Sequence, residues 1–175
     1  MLLYVTFNSK FWEGKDLKRQ YEFYTVRGYK MMNAEKKLLT SSMEDYLEMI
    51  YRICKKEDYV RMSHLAKKLN VRPSSATKIV QKLRDLGIVD YQKYGIIQLT
   101  DKGERLGKFL LKRHNIIEEF LKNIGTEDTR LKDTEMIEHG VSFNTLKNID
   151  LLNKFLLDNP NIIQQFEEFK RDYCE

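Results

Sequence analysis

The sequence predicts a mainly α-helical protein in which a winged helix-turn-helix domain precedes an all-helical domain. Three observations carry this prediction: apolar residues recur at helical spacing, two predicted helices are joined by a three-residue turn, and two short β-rich runs follow them. The chain has 175 residues, of which 42% are hydrophobic and 33% charged, so it is long enough to bury a core.

The first helices are marked by residues that favour helix starts. Ser41 or Ser42 can cap a long amphipathic helix, and Ser63 can cap a short one. Residues 70–72 predict a tight turn, after which Pro73 suits the first position of another helix. A pair of helices with this connection has the spacing of a helix-turn-helix.

After the second helix of this pair, the spacing of the apolar residues no longer fits a helix. The runs IVDY and IIQLT predict a two-stranded hairpin, or wing, with Gly95 at its tip. Thr100 can then cap a long amphipathic helix that stops at Gly125. Three more helices are predicted, from about residue 128 to 139, from Ser142 to a break at Pro160, and from there towards Tyr173.

Charge is distributed unevenly along the chain. Residues 59–113 hold 13 Lys and Arg against 4 Asp and Glu, a net charge of +9, whereas residues 114–175 hold 7 against 13, a net of −6. The basic block suits a module that binds a polyanion, and the acidic block suits one that binds cations or another subunit. From charge alone, two solvated surfaces that pair with each other are the alternative.

The helix PSSATKIVQKLRDLG separates into an apolar face and a polar, basic face. Ser, Thr and Gln can bond base edges or phosphates, Lys pairs with phosphate, and the helix N-terminus adds N–H donors. Together with the preceding helix, the turn and the wing, this pattern predicts a DNA-reading surface. The candidate DNA contacts are Arg72, Ser74, Ser75, Thr77, Lys78, Gln81 and Lys82, with Lys93 and Tyr94 at the wing tip.

The stretch TEMIEHG places two glutamates and a histidine on one helix face. Glu135, Glu138 and His139 stand at positions i, i+3 and i+4, and nothing basic adjoins them. The first long helix adds Asp45 and Glu48 at i and i+3, and the helix after the wing adds His114 among apolar residues. Four carboxylates and two imidazoles are enough for one metal ion, or for two that share carboxylates. Spacing leaves open that these are separate charges on three helices.

Several classes of function are disfavoured. Cys54 and Cys174 lie far apart without CxxC spacing, which argues against a thiolate zinc site or a disulfide framework and favours the cytoplasm. No apolar run approaches the roughly 18 to 20 residues of a membrane span, and the first seven residues do not have the pattern of a signal peptide. There is no HExxH, phosphate-binding glycine loop or nucleophile triad, so we expect no enzyme.

Several motifs together resemble one protein family. SMEDYLEMIY, PSSATKIVQKL, YQKY, LTDKGERLGK, KRHNIIEEFL and IEHG occur in this order over about residues 42–158. They resemble the manganese transport regulator branch of the diphtheria toxin repressor family. The resemblance implies a cytoplasmic, homodimeric, metal-activated repressor that binds a palindromic double-stranded DNA operator and has neither a membrane partner nor a small organic substrate. It places the family's ligand positions on Asp45, Glu48, His114, Glu135, Glu138 and His139.

The resemblance also bears on the metal. In the iron-responsive branch the positions matching Asp45 and Glu135 are typically methionine and cysteine, whereas both are carboxylates in this chain. Oxygen-rich ligands with few imidazoles suit Mn2+, so we expect Mn2+ as activator, with one or two ions per subunit. Fe2+, Co2+, Zn2+ and Cd2+ are ions that the same ligands can also hold. The alternatives are an iron- or zinc-responsive repressor of this family and a winged-helix regulator that senses no metal.

Three segments are expected: an N-terminal extension of unknown role over residues 1–41, a winged helix-turn-helix DNA-binding domain over 42–107, and a helical dimerisation and metal-binding domain over 108–175. The first 30 residues hold 8 of the 20 aromatic residues, and a translation start at Met31 or Met32 is an alternative to a true extension. Because the ligand candidates come from both later segments, we expect a bound ion to tie the DNA-binding domain to the dimerisation domain.

Overall fold

A computed structural model describes residues 39–92 and 95–174, and over these residues the chain has the mainly helical fold that the sequence predicts. Residues 1–38, and with them nearly all of the expected N-terminal extension, lie outside the described residues. The same holds for Lys93 and Tyr94, the candidate DNA contacts at the wing tip.

Seven helices and three strands are formed by the described residues. In chain order they are α1 (Ser41–Glu57), β1 (Val60–Arg61), α2 (Met62–Lys68), α3 (Pro73–Asp85), β2 (Val89–Tyr91), β3 (Ile96–Leu99), α4 (Asp101–Asn123), α5 (Arg130–Glu138), α6 (Phe143–Asp158) and α7 (Pro160–Cys174). The pair α2 and α3 is the predicted helix-turn-helix. Asn70 turns the chain between them with a φ of 53°, a conformation that asparagine tolerates better than most residues.

The predicted cap at Thr100 is confirmed, and Ser142, where a helix was predicted to begin, is a cap as well. The side chain of Thr100 accepts a hydrogen bond from the Gly103 amide at the start of α4, and that of Ser142 accepts one from the Thr145 amide at the start of α6. Each cap satisfies a backbone donor that the helix itself leaves without a partner.

The other predicted caps are wrong. The helix α2 begins at Met62, one residue before Ser63, and its N-cap residue Arg61 makes no side-chain capping bond. Ser41 and Ser42 are the first two residues of α1 and do not precede it. A serine near the start of an apolar pattern locates a helix only to within a residue or two.

The predicted hairpin is confirmed as the antiparallel pair of β2 and β3, and β1 adds a third strand to this wing. The strand β3 lies in the middle and pairs with β2, with Val89 opposite Leu99, and with β1, with Val60 opposite Ile97. Gly95 precedes β3 with a φ of 74°, in keeping with the backbone freedom predicted for it. The additional strand anchors the wing to the segment between α1 and α2.

The core has two parts that meet along α4. Around the helix-turn-helix, the side chains with no more than 1% exposure include Leu47, Ile50, Leu65, Val80, Leu83 and Ile97. A second apolar cluster contains Ile116, Ile117, Leu121 and Leu146. The helix α4 packs against α1, α5 and α6, and so brings residues from both parts of the chain together.

A glycine sets how closely α1 approaches α4. A Cβ atom added at Gly107 would lie 2.6 Å from the Cβ of Tyr51 and 2.9 Å from its Cγ. These atoms are the base of the tyrosine side chain, which cannot swing aside. The two helices can therefore lie this close only because position 107 has no side chain.

No helix among residues 39–92 and 95–174 combines the length and the apolar character needed to cross a bilayer.

Candidate metal centre and DNA-reading surface

The helix α1 turns two kinds of side chain towards α4 and α5. Its apolar stripe, which includes Leu47 and Ile50, is fully buried in the core. The same turns of the helix carry Glu44, Asp45 and Glu48. Glu44 and Glu48 are buried, whereas the Asp45 side chain is 45% exposed at the edge of the site.

Three ligand candidates form a cluster near the surface, which we term the outer triad: Asp45, Glu138 and His139. One donor atom from each lies within 4.8 Å of the other two. The Nε2 atom of His139 lies 3.0 Å from Oδ1 of Asp45 and 3.8 Å from Oε1 of Glu138. The outer triad joins α1 to the end of α5.

A second cluster, which we term the inner triad, consists of Glu48, His114 and Glu138, all of them buried. The Nδ1 atom of His114 lies 3.1 Å from Oε2 of Glu138 and 3.8 Å from Oε1 of Glu48. Glu138 therefore belongs to both triads and faces them with different oxygens. A carboxylate in this position can bridge two divalent ions, and the oxygen-rich donor sets with one imidazole each fit Mn2+.

Glu135 belongs to neither triad. It is exposed on α5, one turn before Glu138, and its charge contributes to raising the pKa of Asp45. The structure thus brings five of the six predicted ligands into the two triads and leaves the sixth beside them. Its role as a ligand stays a prediction.

Two buried residues that the sequence analysis missed support His139. The guanidinium of Arg113, whose side chain is 2% exposed, donates through Nη2 to Oε2 of Glu44 at 2.9 Å. The same carboxylate oxygen lies 2.8 Å from Nδ1 of His139. The Arg113 guanidinium also lies 3.4 Å from this Nδ1 atom, but an arginine can only donate. The shorter contact therefore assigns the proton to Nδ1, as a donor to Glu44.

With Nδ1 donating to Glu44, Nε2 is the ring nitrogen that faces the outer triad, 3.0 Å from Oδ1 of Asp45. A carboxylate that orients a histidine through its other nitrogen is common around bound metals, where it fixes the ring and raises its basicity. A signal for Arg113 was present in the sequence. It falls on the apolar stripe of α4, in register with Leu106, Leu110 and Ile117. A charged residue in such a register is buried and needs a partner.

The surroundings raise the pKa of two of the ligand candidates. The hydrogen bond to Glu138 is the largest cause of the raised pKa of His114, helped by the charges of Glu48 and Glu138 and opposed by burial. Burial raises the pKa of Asp45, as do the charges of Glu138 and Glu135, whereas His139 opposes them. Both shifts disfavour the unprotonated form that a metal ligand needs.

We expect metal affinity to fall with decreasing pH, starting above the ordinary histidine pKa of 6.5. Protonation of His114 contributes stability to the metal-free fold that is fully present below 6.5 and is lost as the pH rises through the raised pKa. An ion held by the inner triad would need the Nδ1 lone pair of His114, so its binding would release the proton from this atom. Calorimetric titration with Mn2+ in buffers of different ionisation enthalpy measures this release, and an affinity that is constant across this pH range contradicts the expectation.

The helix α3 presents the predicted DNA-reading face. Its apolar residues Ala76, Val80 and Leu83 are buried. Arg72, Ser74, Ser75, Lys78, Gln81 and Lys82 are exposed, and Thr77 is half-buried with its hydroxyl donating to the Pro73 carbonyl at 2.9 Å. Seven of the nine predicted contacts therefore lie along or just before α3, and Lys93 and Tyr94 lie outside the described residues.

Two family profiles match the chain in tandem. One, described as the iron dependent repressor, N-terminal DNA binding domain, matches residues 38–97. The other, described as the iron dependent repressor, metal binding and dimerisation domain, matches residues 100–167.

Relatives at substantial identity are named as transcriptional regulators. The HTH-type transcriptional regulator MntR of Lysinibacillus sphaericus (strain C3-41) is 43% identical over 135 residues, which cover 77% of this chain and 97% of the relative. The regulator of the same name in Bacillus subtilis (strain 168) is 40% identical over 132 residues, which cover 75% of this chain and 86% of the relative.

Solved structures show the same fold. A manganese-dependent transcriptional repressor in complex with manganese is similar with a TM-score of 0.59 and 32% identity, covering 65% of this chain and 53% of that chain. ScaR with bound Zn2+ is similar with a TM-score of 0.53 and 27% identity, covering 65% and 54%. This chain therefore spans about half the length of these two structures.

Proposed function

The chain belongs to the iron dependent repressor family, and on this premise we propose that it is a metal-dependent transcriptional repressor activated by Mn2+. It acts as a homodimer on a double-stranded DNA operator and controls genes of manganese uptake and homeostasis. The names of the relatives and the manganese-bound repressor support this choice of ion, as does the oxygen-rich donor set. The protein works in the cytoplasm and is not an enzyme.

The observation that carries the proposal is the sharing of Glu138 between the two triads. Through it, Asp45 and Glu48 on α1 meet His114 on α4 and His139 after α5. We propose a boundary near residue 107 between a DNA-binding domain and a dimerisation domain, so that α1 belongs to the first and α5 to the second. The six predicted ligands, with Glu135 as the sixth, then hold the two domains in one arrangement.

The proposed mechanism follows from this geometry. A divalent ion, when bound, supplies the positive charge that offsets the clustered carboxylates. Asp45 and Glu48 then fix α1 against α4 and α5, and α3 packs on α1 through the common core. In a dimer this sets the distance between the two copies of α3, which must match major grooves about 34 Å apart or a multiple of that. The metal-bound arrangement is one that the metal-free dimer already samples.

The decisive experiment compares operator affinity across metals. DNA duplexes are selected from a random pool by the full-length protein with Mn2+ present, and binding is then measured with a chelator or with Mn2+, Fe2+, Co2+, Zn2+ or Cd2+. We expect Mn2+ to tighten specific binding by about 5- to 150-fold, the usual range of coupling between two sites. Equal affinities with and without metal would refute the proposal.

The same experiment addresses the second candidate, an iron- or zinc-responsive repressor of this family. It is favoured by the iron dependent description of both profiles and by the Zn2+ in ScaR. Activation by Fe2+ or Zn2+ at lower free concentrations than by Mn2+ would support it. A regulator that senses no metal would respond to none of the ions.

Lys78 gives a test of the DNA-reading face. We expect Lys78→Ala to weaken binding to all duplexes alike and to reduce the slope of log affinity against log salt by about one, since one phosphate contact is lost. Fluorescence anisotropy at several salt concentrations measures both. Lys122→Ala, at the far end of α4, removes an exposed lysine paired with Glu119 and serves as the matched control. An unchanged slope in the Lys78 variant would contradict the assignment.

A further inference from the structure

The side chain of Arg52 forms a salt bridge with Glu48, one of the proposed metal ligands. Its Nε and Nη2 atoms both donate to Oε1 of Glu48, at 2.9 Å and 2.6 Å. Arg52 follows Glu48 by one turn of α1, a spacing at which a glutamate and an arginine readily pair. Most pairs of this kind are exposed and contribute little. In this one, the Glu48 side chain is only 9% exposed.

The oxygen that Arg52 holds is the one that faces the inner triad. Oε1 of Glu48 is the atom 3.8 Å from Nδ1 of His114. A guanidinium on this atom and a divalent ion bound to it would be two cations a few ångströms apart, and their repulsion in a buried site is large. Arg52 and an ion bound at this position would therefore compete for Oε1 of Glu48.

Arg52 differs from the other arginine of the site in its freedom to leave. Arg113 is 2% exposed and is enclosed by the core, so it remains beside Glu44 in any folded state. The Arg52 side chain is 37% exposed and can turn its charged end into water without moving α1. One arginine is thus a fixed counter-charge, and the other can be displaced.

We propose that Arg52 is a built-in competitor for the inner metal position: its guanidinium holds Glu48 in the metal-free protein and must release it before Glu48 can hold an ion. Arg52 therefore sets the metal concentration at which the protein responds. This inference rests on the proposed function, in that Glu48 must be a ligand. The other residues proposed for this site raise its affinity for metal, whereas Arg52 lowers it.

The test measures Mn2+ affinity of the metal-stripped full-length protein directly, by calorimetry and by the electron paramagnetic resonance signal of free Mn2+. We expect Arg52→Met, which keeps the aliphatic stem, to tighten Mn2+ binding by about three- to tenfold. In this variant Mn2+ no longer has to displace a guanidinium from Glu48. Arg52→Lys keeps the positive charge but cannot donate from two nitrogens to the carboxylate, so its Mn2+ affinity should lie between those of the unchanged protein and Arg52→Met. An affinity for Arg52→Met that is unchanged or weaker overturns the proposal.

Two further arms separate this inference from a general charge effect and from the function itself. Lys55→Met removes an exposed positive charge from the same helix and should leave the affinity unchanged; a gain equal to that of Arg52→Met overturns the proposal. In a Glu48→Gln background, Arg52→Met should have no effect, and a persistent gain overturns it as well. If Glu48→Gln alone leaves Mn2+ affinity unchanged, Glu48 is not a ligand, and the proposed site fails independently of Arg52.

Discussion

Glu138→Gln should lower Mn2+ affinity by at least about 100-fold and abolish metal-dependent operator binding. Glu138 is the one residue shared by the two triads, with Oε1 towards His139 and Oε2 towards His114. Its replacement therefore weakens both ion positions at once. Substitution of any other triad member leaves one triad intact, so the loss should be smaller for Asp45 or Glu48 variants.

The variant is designed to keep the fold. Glutamine has nearly the same volume, and its amide can still form a hydrogen bond with His114, so the buried position is not left empty. Glu119→Gln, on the exposed side of α4, is the matched control for the loss of one carboxylate. Calorimetry with Mn2+ gives the affinity, and anisotropy gives operator binding. If Glu138→Gln binds Mn2+ as tightly as the control variant, the two triads are not the metal centre.

Glu135→Ala belongs in the same series, because the resemblance and the geometry assign that residue differently. The family pattern makes it a ligand, whereas the structure places it exposed and outside both triads. A loss of affinity comparable to that of Glu138→Gln would make Glu135 a ligand that turns inward when an ion binds. A loss of less than about threefold would leave it with only a long-range effect on Asp45.

Arg113→Met should lower the free energy of unfolding of the metal-free protein by about 3 to 5 kcal/mol. Glu44 would then be buried with His139 as its remaining partner, and an ionised carboxylate without its counter-ion is strongly disfavoured in the core. Urea denaturation at a fixed protein concentration measures the change, since the stability of a dimer depends on concentration. Arg130→Met removes the exposed pair with Glu127 and should change stability by less than about 1 kcal/mol.

A double variant shows whether the pair acts as a unit. In Glu44→Met with Arg113→Met neither member of the pair is left as an unpaired buried charge, so part of the lost stability should return. His139 would lose its Nδ1 partner in the same protein, and Mn2+ affinity should fall by about 10- to 100-fold even though no ligand has been changed. Additive losses in the double variant, together with unchanged Mn2+ affinity, would contradict the role of the pair in orienting His139.

The helical elements were largely predictable because they depend on local signals. Thr100 caps α4 as predicted, and Ser142 and Pro73 mark the predicted starts of α6 and α3, since the backbone needs of a helix end are met by neighbours in sequence. The strand β1 was missed because two residues cannot show alternation, and it exists only through its pairing with β3. Pairing of this kind depends on tertiary contacts.

The site was predictable as a list of ligand types but not as an arrangement. Spacing placed Glu135, Glu138 and His139 on one helix face, and the family resemblance linked them to Asp45, Glu48 and His114. Neither showed that Glu138 would face both groups. Glu44 and Arg113 were missed because their pairing joins residues 69 positions apart. The spacing of Arg52 and Glu48 alone could have predicted their salt bridge, but the importance of this salt bridge depends on the burial of the glutamate.

The close contact of α1 with α4 depends on a residue without a side chain, and α1 carries the proposed metal ligands Asp45 and Glu48. A methyl group at position 107 would meet the base of Tyr51 and force α1 outward, and Asp45 and Glu48 would move with it. Such a chain would retain every donor atom and yet offer them over a wider gap, suited to an ion of another radius. The width of the proposed metal site is thus tied to the absence of a side chain at position 107, a residue that is not itself a proposed ligand.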